Sequence, residues 1–433
     1  MNQGSFYLLR KQHFLPLFLT QFFGAFNDNA FKLAMLTLIS YNLSHSQVQS
    51  ERYQAIAGAL FTLPFFLFSA TAGQIADKLD KAKMSRYLKG FELLLMMIGG
   101  MGLYFGHIAL LMITLTGMGI HSSFFGPIKY AILPDHLPKS SLLGATGLIE
   151  SSTFLAILLG TTLGTLAIGT DKGSTYLAIL LTNFAAVAGL TSSFFIPKAP
   201  PHTENDFKID WNILRATFVM LKEVKEQSDL FIPILTISWF WLIGVVVLTK
   251  LPDYTHYVLN ADNIVFALFL ALFSVGIGIG SLLINRLLSG RVSLYYVPLS
   301  IFILSCFAFD LYLASSVTEE KTSMYSIINF FFSFRHWRIS FDLLMLAVSA
   351  GLFVVPLYTH LQVFSRAGSR ARTIAANNIY NAFFMVVGTL LVMFLIYLNL
   401  SIPEVFLILS ILNAIVAFSL WWILPGAGGH TNA

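Results

Sequence analysis

The chain has 433 residues, of which 56% are hydrophobic and only 11% are charged. A soluble domain carries about 25% charged residues, so this composition indicates an integral membrane protein. The apolar runs are long and lack the two-residue alternation of barrel strands, which predicts membrane-spanning helices. The net charge of +5 does not indicate a nucleic-acid partner, because Lys and Arg lie mainly between the apolar runs. Cys306 is the single cysteine, which excludes an intrachain disulfide and a thiolate metal cluster.

Twelve apolar runs reach the length of about 20 residues that a helix needs to cross a bilayer. The predicted spans are residues 14–41, 54–77, 84–105, 107–133, 141–168, 174–196, 229–257, 263–288, 293–317, 338–363, 370–399 and 403–424. We therefore predict an all-α membrane protein built from two six-helix bundles. The N-terminal bundle is 1–197, a linker follows at 198–228, and the C-terminal bundle with a short tail is 229–433.

The first span carries charged residues in an otherwise apolar stretch. Asp28 and Lys32 are four residues apart, so both lie on one face of a helix. A charge at the bilayer centre costs about 2.5–3.5 kcal/mol on insertion scales and rarely faces lipid. The two residues are either a structural ion pair or part of a polar site on a transport pathway, and the rest of the sequence favours the second. Because this apolar run is long enough to span the membrane and carries Asp28, we expect no cleavable signal peptide.

A glycine, two acids and several lysines lie between the second and third spans. Gly73 precedes Asp77, Lys78 and Lys81, and Asp80 lies within the basic run. Gly73 allows two helices to approach closely. Asp77 is placed to cap a helix end or to pair with bases, and thereby to brace one conformation. The lysines are expected to hold the loop on the cytoplasmic side.

This segment resembles the G-x-x-x-D-[RK]-x-G-[RK]-[RK] motif of the major facilitator superfamily, although Asp80 stands where the motif has a glycine. Transporters of that superfamily also have two six-helix halves, with the substrate site between them near the membrane midplane. The resemblance therefore implies the major facilitator fold.

The distribution of Lys and Arg predicts the topology. The N-terminal tail, the linker and the other loops that follow even-numbered spans hold, with their flanks, 19 of the 26. This bias puts both termini and the linker in the cytoplasm. On the opposite side, the loop at 318–337 ends in an aromatic and basic cluster. That loop is either an interfacial segment at headgroup level or the start of the tenth span, and we favour the first.

The linker is polar and partly amphipathic between Asp206 and Gln227. Its bases there are Lys208, Arg215, Lys222 and Lys225. One interpretation is a solvated connection between the two bundles. The other is a helix that lies on anionic lipid headgroups. The sequence does not distinguish them.

Three stretches narrow the resemblance further. They are 21–32 in the first span (QFFGAFNDNAFK), 125–134 at the end of the fourth (FGPIKYAILP) and 144–160 in the fifth (GATGLIESSTFLAILLG). Together they resemble the bacterial lysophospholipid transporter family, closely in the N-terminal half and more loosely in the C-terminal half. The resemblance implies movement of lysophosphatidylethanolamine and lysophosphatidylglycerol from the outer to the inner leaflet of the inner membrane. It also implies a separate cytoplasmic acyltransferase as a partner, alongside the lysophospholipid substrate and membrane lipids.

In the N-terminal half five polar residues are candidates for the site. Asp28 and Asn29 match the family's acidic first-span motif, which implies contact with the lipid headgroup or a coupling ion. Lys32 is then a partner for Asp28. Lys129 either binds the phosphate as a point charge or extends to the membrane interface. Glu150 is an intramembrane carboxylate, for which we expect a functional pairing with Lys129 or with the substrate amine.

In the C-terminal half the candidates are Lys250, Asn377 and Asn378. Lys250 stands near the outer end of the seventh span, where it either binds phosphate or extends to the interface. Asn377, Asn378 and Asn381 share a helical face. They either line the cavity or bond to neighbouring helices at about 0.6–2 kcal/mol each, and we favour the second.

These expectations describe a two-state transporter without an organic cofactor or metal, coupled to sodium, to protons or to no ion. One alternative is a major facilitator transporter of another amphiphile, such as a drug or siderophore, because a fold does not fix its cargo. A second alternative is a membrane enzyme acting on lipids. Against that alternative, the cytoplasmic loops contain no cluster of His, Asp and Cys at catalytic or metal-binding spacing.

Overall fold

The structure, a computed structural model, describes residues 5–168, 174–202, 207–315 and 324–424, which are almost entirely helical. Twelve long helices lie in these ranges, six before the linker and six after it, as predicted. They are α1 (Leu15–Leu38), α2 (Gln47–Lys78), α3 (Lys81–Phe105), α4 (Ile108–Ala131), α5 (Lys139–Leu166), α6 (Tyr176–Phe194), α7 (Ser228–Asp253), α8 (Asn263–Leu287), α9 (Val297–Ser315), α10 (Phe334–Phe364), α11 (Arg370–Tyr397) and α12 (Ile402–Ile423). A shorter linker helix (Ile213–Lys225) connects the halves.

Eleven of these helices are long and apolar enough to cross a membrane by length and composition. The exception is α1, which has a sufficient length of 24 residues. Its mean hydropathy is lowered by the polar residues Gln21, Asn27, Asp28, Asn29 and Lys32. Three of them, Asp28, Asn29 and Lys32, are the residues for which the sequence predicted a polar site.

Several boundaries differ from the predicted ones because local capping overrides hydropathy. Helix α2 begins at Gln47 rather than 54, where the Ser46 hydroxyl accepts the N–H of Gln49 at 3.3 Å. Helix α3 begins at Lys81 rather than 84, because Asp80 accepts the N–H of Lys83 at 2.9 Å. Asp80 thus serves as a helix cap at the position where the superfamily motif has glycine.

The segment predicted as interfacial divides into two parts. Ile327–Phe330 forms a short separate helix, and α10 begins at Phe334 rather than at 338. Arg335 and Arg338 therefore belong to the first turns of α10, as the alternative interpretation of this segment holds. Residues 318–323 lie outside the described part of the chain.

Small residues bring helices together within each half. A Cβ atom added to Gly160 would lie 2.4 Å from the Phe26 carbonyl oxygen, and one added to Gly164 would lie 2.3 Å from that of Ala30. These distances are too short for any side chain, so the two glycines are needed for α5 to pack on α1. The glycine runs serve helix packing, as expected for membrane bundles.

The two halves meet along α2 and α4 against α11, and along α5 against α8 and α10. We call the surface that holds the N-terminal segment, the α2–α3 loop and the linker helix the basic face, and the Lys and Arg distribution predicts that it is cytoplasmic. Among the described residues, the side-chain contacts between the halves lie at mid-depth or nearer the basic face. Examples are Thr146 with Gln362 and Ser151 with the Gly278 carbonyl. The two halves are therefore closed together on the basic face.

Candidate functional site

A buried group of charged and polar side chains joins α1, α3 and α4. The Glu92 carboxylate accepts hydrogen bonds from Asn27 Nδ2 at 2.7 Å and from Lys89 Nζ at 2.5 Å. His121 Nε2 lies 3.4 Å from the same carboxylate. Gly24 makes room for the ammonium, since a Cβ atom there would lie 2.4 Å from Lys89 Nζ. Lys89 and Glu92 are three residues apart in the sequence, as neighbours on a helix are. The sequence did not indicate that His121 lies beside Glu92.

Asp28 lies one residue along α1 from this group and is only half-buried. Its Oδ2 accepts a hydrogen bond from the Ser122 hydroxyl of α4 at 2.7 Å, whereas Oδ1 has no described partner. Glu92, Lys89 and Lys32 all lie within electrostatic range of this carboxylate. Asp28 is therefore attached to the buried group on one side and keeps free hydrogen-bonding capacity on the other.

The neighbouring candidates on α1 are oriented differently. Lys32 Nζ lies 5.5 Å from the centre of the Phe61 ring on α2. No carboxylate oxygen within the described ranges lies within 4.0 Å of it, so the direct ion pair expected with Asp28 is not formed. The Asn29 amide donates to the Ala25 carbonyl of its own helix at 2.8 Å. Lys32 and Asn29 are both half-buried.

Lys129 and Glu150 form a second polar group near the contact between the halves. The Tyr130 hydroxyl donates a hydrogen bond to the buried Glu150 carboxylate. Lys129 Nζ lies 4.7 Å from the centre of the Tyr130 ring, and it is within electrostatic range of both Glu150 and Asp28. The two polar groups of the N-terminal half are therefore electrostatically connected through Lys129.

Tyr130 carries this connection into the C-terminal half. Its ring stacks on that of Tyr358 in α10, with the ring centres 4.6 Å apart and the planes 10° from parallel. The Tyr358 hydroxyl accepts a hydrogen bond from Trp241 Nε1 of α7 at 3.1 Å. Asn381 of α11 is hydrogen-bonded to the Ser238 hydroxyl, also on α7, at 2.9 Å. The Asn381 amide also lies 3.4 Å from the Tyr358 hydroxyl, so hydrogen bonds and one ring stack together connect Glu150 to α7 and α11.

The remaining C-terminal candidates have separate surroundings. Asn377 is buried and lies 3.0 Å from the Asn381 amide. Asn378 is half-buried and faces α4, where its Nδ2 lies 2.7 Å from the position that a Gly126 Cβ atom would take. Lys250 is buried near the end of α7 that lies away from the basic face, with Nζ 3.8 Å from the exposed Asp253 carboxylate. The structure does not place Lys250 in the polar groups around Asp28 and Glu150.

An apolar cavity of about 260 Å³ borders this polar path. Its walls include Phe154 of α5, Phe240 and Trp241 of α7, and Phe353 of α10. Phe240 packs edge-on against Phe154, with ring centres 6.1 Å apart. Trp241 therefore lines the cavity with its ring and donates its N–H to Tyr358 in the polar path.

The Gly73 and Asp77 motif forms the contact that closes the basic face. The Asp77 carboxylate accepts the backbone N–H groups of Ala371 and Arg372 at 2.9 and 3.2 Å, and Arg372 Nε at 3.1 Å. Asp77 thus caps the first turn of α11, where the helix dipole favours a negative charge. A Cβ atom at Gly73 would lie 2.9 Å from the Arg372 Cα, so glycine is needed for this approach. In this structure Asp77 therefore both caps a helix and pairs with a base.

The lysines of the motif extend this contact. Lys81 is 1% exposed, and its Nζ pairs with the Asp135 carboxylate at 3.0 Å. Asp135 also pairs with Arg370 at the start of α11, at 3.1 Å. Lys78 Nζ donates to the Phe207 carbonyl of the linker at 2.8 Å. Sequence reasoning missed Asp135 and Arg370, and the only local signal was an acid directly after Pro134 at the end of a span.

Comparison with known proteins identifies relatives of this chain. A model of the family described as the Major Facilitator Superfamily matches residues 17–389. The Lysophospholipid transporter LplT of Escherichia fergusonii is 28% identical over 349 residues, which cover 79% of this chain and 78% of that protein. The protein of the same name from Escherichia coli (strain K12 / DH10B) is 27% identical over 348 residues, with the same coverage.

Solved structures of similar fold include the human organic anion transporter MFSD10 and the proton:xylose symporter XylE. The first has a TM-score of 0.77 at 14% identity, covering 94% of this chain and 99% of that chain. The second has a TM-score of 0.69 at 14% identity, covering 98% of this chain and 97% of that chain. At these identities the likeness concerns the fold alone.

Proposed function

Because this chain belongs to the major facilitator superfamily and is a multi-pass secondary transporter, we propose that its cargo is a lysophospholipid. In this proposal it moves lysophosphatidylethanolamine and lysophosphatidylglycerol from the outer to the inner leaflet of the bacterial inner membrane. A separate cytoplasmic acyltransferase then re-acylates them. The names of the relatives support this cargo, and so does the chemistry of the site.

One observation carries the proposal: a charged site and an apolar cavity adjoin each other at Trp241. On one side are Asp28, Lys129 and Glu150, and on the other is the 260 Å³ cavity lined by Phe154 and Phe240. Ligand pockets usually enclose about 300–1,000 Å³. A cavity of this size therefore suits part of one apolar chain, while the rest of the amphiphile lies in the polar path.

The charges match the headgroup of a zwitterionic lysolipid. We assign the amine to Asp28, whose Oδ1 has no partner among the described side chains, with Asn29 beside it. We assign the phosphate to Lys32 and Lys129, which form no ion pair within 4.0 Å in the described ranges. Ions at this depth are costly unless they are paired, so a bound headgroup would lower the free energy of the site.

Alternating access supplies the movement. The contacts of Asp77 with α11 and of Asp135 with Arg370 hold the basic face closed. The cargo reaches the other side only when these contacts break and the halves rock about the site. Headgroup binding drives this change only to the extent that the paired charges are stabilised differently in the two states.

Reconstitution tests the proposal directly. Purified protein in liposomes is given fluorescent lysophosphatidylethanolamine, and flipping is followed by extraction of outer-leaflet lipid with albumin, with and without sodium and proton gradients. Asp28→Asn should lower the flipping rate at least tenfold at unchanged thermal stability. Asp262→Asn is the matched control. Asp262 caps the first turn of α8, at the end of the molecule opposite the basic face, and Asn caps a helix equally well.

Competition separates lysophospholipids from other amphiphiles. Unlabelled lysophosphatidylethanolamine and lysophosphatidylglycerol should suppress the signal, whereas a cationic drug or a siderophore of similar hydrophobicity should not. Equal suppression by all of them would show that the headgroup is not recognised. Asp28→Asn flipping at the wild-type rate would remove the assignment of the amine to Asp28.

A further inference from the structure

The linker helix has two apolar faces, although it lies outside the membrane-spanning helices. Its inner face packs on α2, α7 and α11. The buried residues of that face are Ala216, Met220 and Val224. The opposite face leaves large apolar side chains 70%, 78% and 70% exposed. These are, respectively, Trp211, which lies just before the first turn, and Leu214 and Phe218 on the helix itself. Large apolar side chains clustered on a surface mark a binding site for a protein or a membrane.

Basic side chains share this outer face. At about 100° per residue, Arg215, Lys222 and Lys225 project within the same half of the helix as Leu214 and Phe218. Arg215 pairs with Asp210 at 2.6 Å, and its guanidinium holds the pKa of that carboxyl below the ordinary value. Lys222 lies 3.9 Å from Glu226 and is 66% exposed. Bulky apolar residues mixed with lysines on one face are typical of helices that lie in a lipid interface.

The position of the helix identifies its partner. It packs against the ends of α2, α7 and α11 that lie on the basic face. Because those ends emerge from the bilayer there, the linker helix lies at the depth of the lipid headgroups. The 13 residues of the helix span about 20 Å at 1.5 Å per residue. That length is enough to lay the apolar residues and the lysines on one patch of lipid.

The segment that leads into this helix touches the closed contact between the halves. The Asp210 N–H donates to Gln74 Oε1 of α2 at 2.8 Å. The Phe207 carbonyl accepts from Lys78, and its ring lies 4.5 Å from the Arg372 guanidinium. Arg372 is the residue that pairs with Asp77 across the two halves. Residues 207–210 therefore lie over the contact that closes the basic face.

We propose that the outer face of the linker helix binds the anionic headgroup layer of the membrane, and that this binding holds residues 207–210 across the closed contact. The ligand class is an anionic lipid surface. Release of the helix from that surface favours opening of the basic face. The inference does not depend on the cargo, because no lysophospholipid takes part.

A fluorescent label tests the lipid contact. In a Cys306→Ser background, Leu214→Cys is labelled with an environment-sensitive dye, and the protein is placed in nanodiscs of phosphatidylcholine with or without 30% phosphatidylglycerol. We expect a blue shift and quenching by nitroxide-headgroup lipids, both at least twofold larger with phosphatidylglycerol and reduced by high salt. Glu223→Cys is the control, because position 223 lies on the helix between its inner and outer faces. The fluorescence of a dye at this position should change little between the two nanodiscs. A water-like signal from position 214 in both nanodiscs would overturn the proposal.

A distance measurement tests the effect on the contact between the halves. Spin labels replace the exposed Lys83 and Arg366 on the two halves, and Trp211→Ser/Phe218→Ser removes the apolar anchor. In phosphatidylglycerol nanodiscs the double variant should populate the longer, open distance at least fivefold more than the parent protein. An unchanged distribution would refute the link to closure. Shielding of Leu214→Cys in native membranes, but not in nanodiscs, would assign the face to a protein and refute the lipid surface.

Discussion

Replacing Asp77 by Asn tests how the basic face is held closed. Asp77 belongs to α2, whereas its partners Ala371 and Arg372 begin α11 in the other half. These bonds therefore exist only while the two halves meet at the basic face. Asn has the same shape and keeps one acceptor oxygen, but it loses the charge and turns an NH₂ group toward the donors of Arg372.

The size of the effect follows from the bonds that change. Asp77 accepts three hydrogen bonds of 2.9–3.2 Å from the described part of α11, and its carboxylate is fully buried. A hydrogen bond to a charged group contributes about 1.5–3 kcal/mol net. We expect Asp77→Asn to destabilise the closed state by about 2–3 kcal/mol, the value of roughly one such bond. Since about 1.4 kcal/mol corresponds to a factor of ten, the closed-to-open ratio should fall about 30- to 150-fold.

Spin labels at Lys83 and Arg366 in the Cys306→Ser background report this ratio as a distance distribution. The parent protein should give the shorter distance, and Asp77→Asn should give a substantial longer component. Asp80→Asn is the matched control, because Asp80 only caps α3 within one half and Asn is an equivalent cap. If Asp77→Asn and Asp80→Asn give the same distribution as the parent, Asp77 does not hold the halves together.

Two further changes test the packing of the N-terminal half. Lys89→Met leaves the buried Glu92 without its cation and should cost about 3–5 kcal/mol of stability, measured as a lower melting temperature in detergent. Adding Glu92→Gln should recover most of the loss, and the absence of recovery would contradict the pairing. Gly164→Leu should prevent α1 from packing on α5, because its Cβ atom would lie 2.3 Å from the Ala30 carbonyl oxygen. Gly58→Leu is the control, because nothing lies within 4 Å of the added Cβ atom. This variant should stay as monodisperse as the parent protein.

The number and order of the helices were readable from the sequence because a membrane span needs a long apolar run and little else. Lys89 and Glu92 pair as residues three apart on a helix can, because such residues are neighbours. The same rule left two interpretations open for Asp28 and Lys32, and no ion pair within 4.0 Å joins them in the structure. Spacing places two side chains on one face, but Asp28 instead bonds to Ser122 of another helix.

Contacts between distant parts of the chain depended on the tertiary structure. The bond from Ala371 to Asp77 joins residues 294 positions apart, and that from Arg370 to Asp135 joins residues 235 positions apart. Hydropathy does not record how each helix is rotated about its axis or which face of it meets another. It also does not record which of two conformations is occupied, so the closed basic face and the stacking of Tyr130 on Tyr358 required the packed bundle.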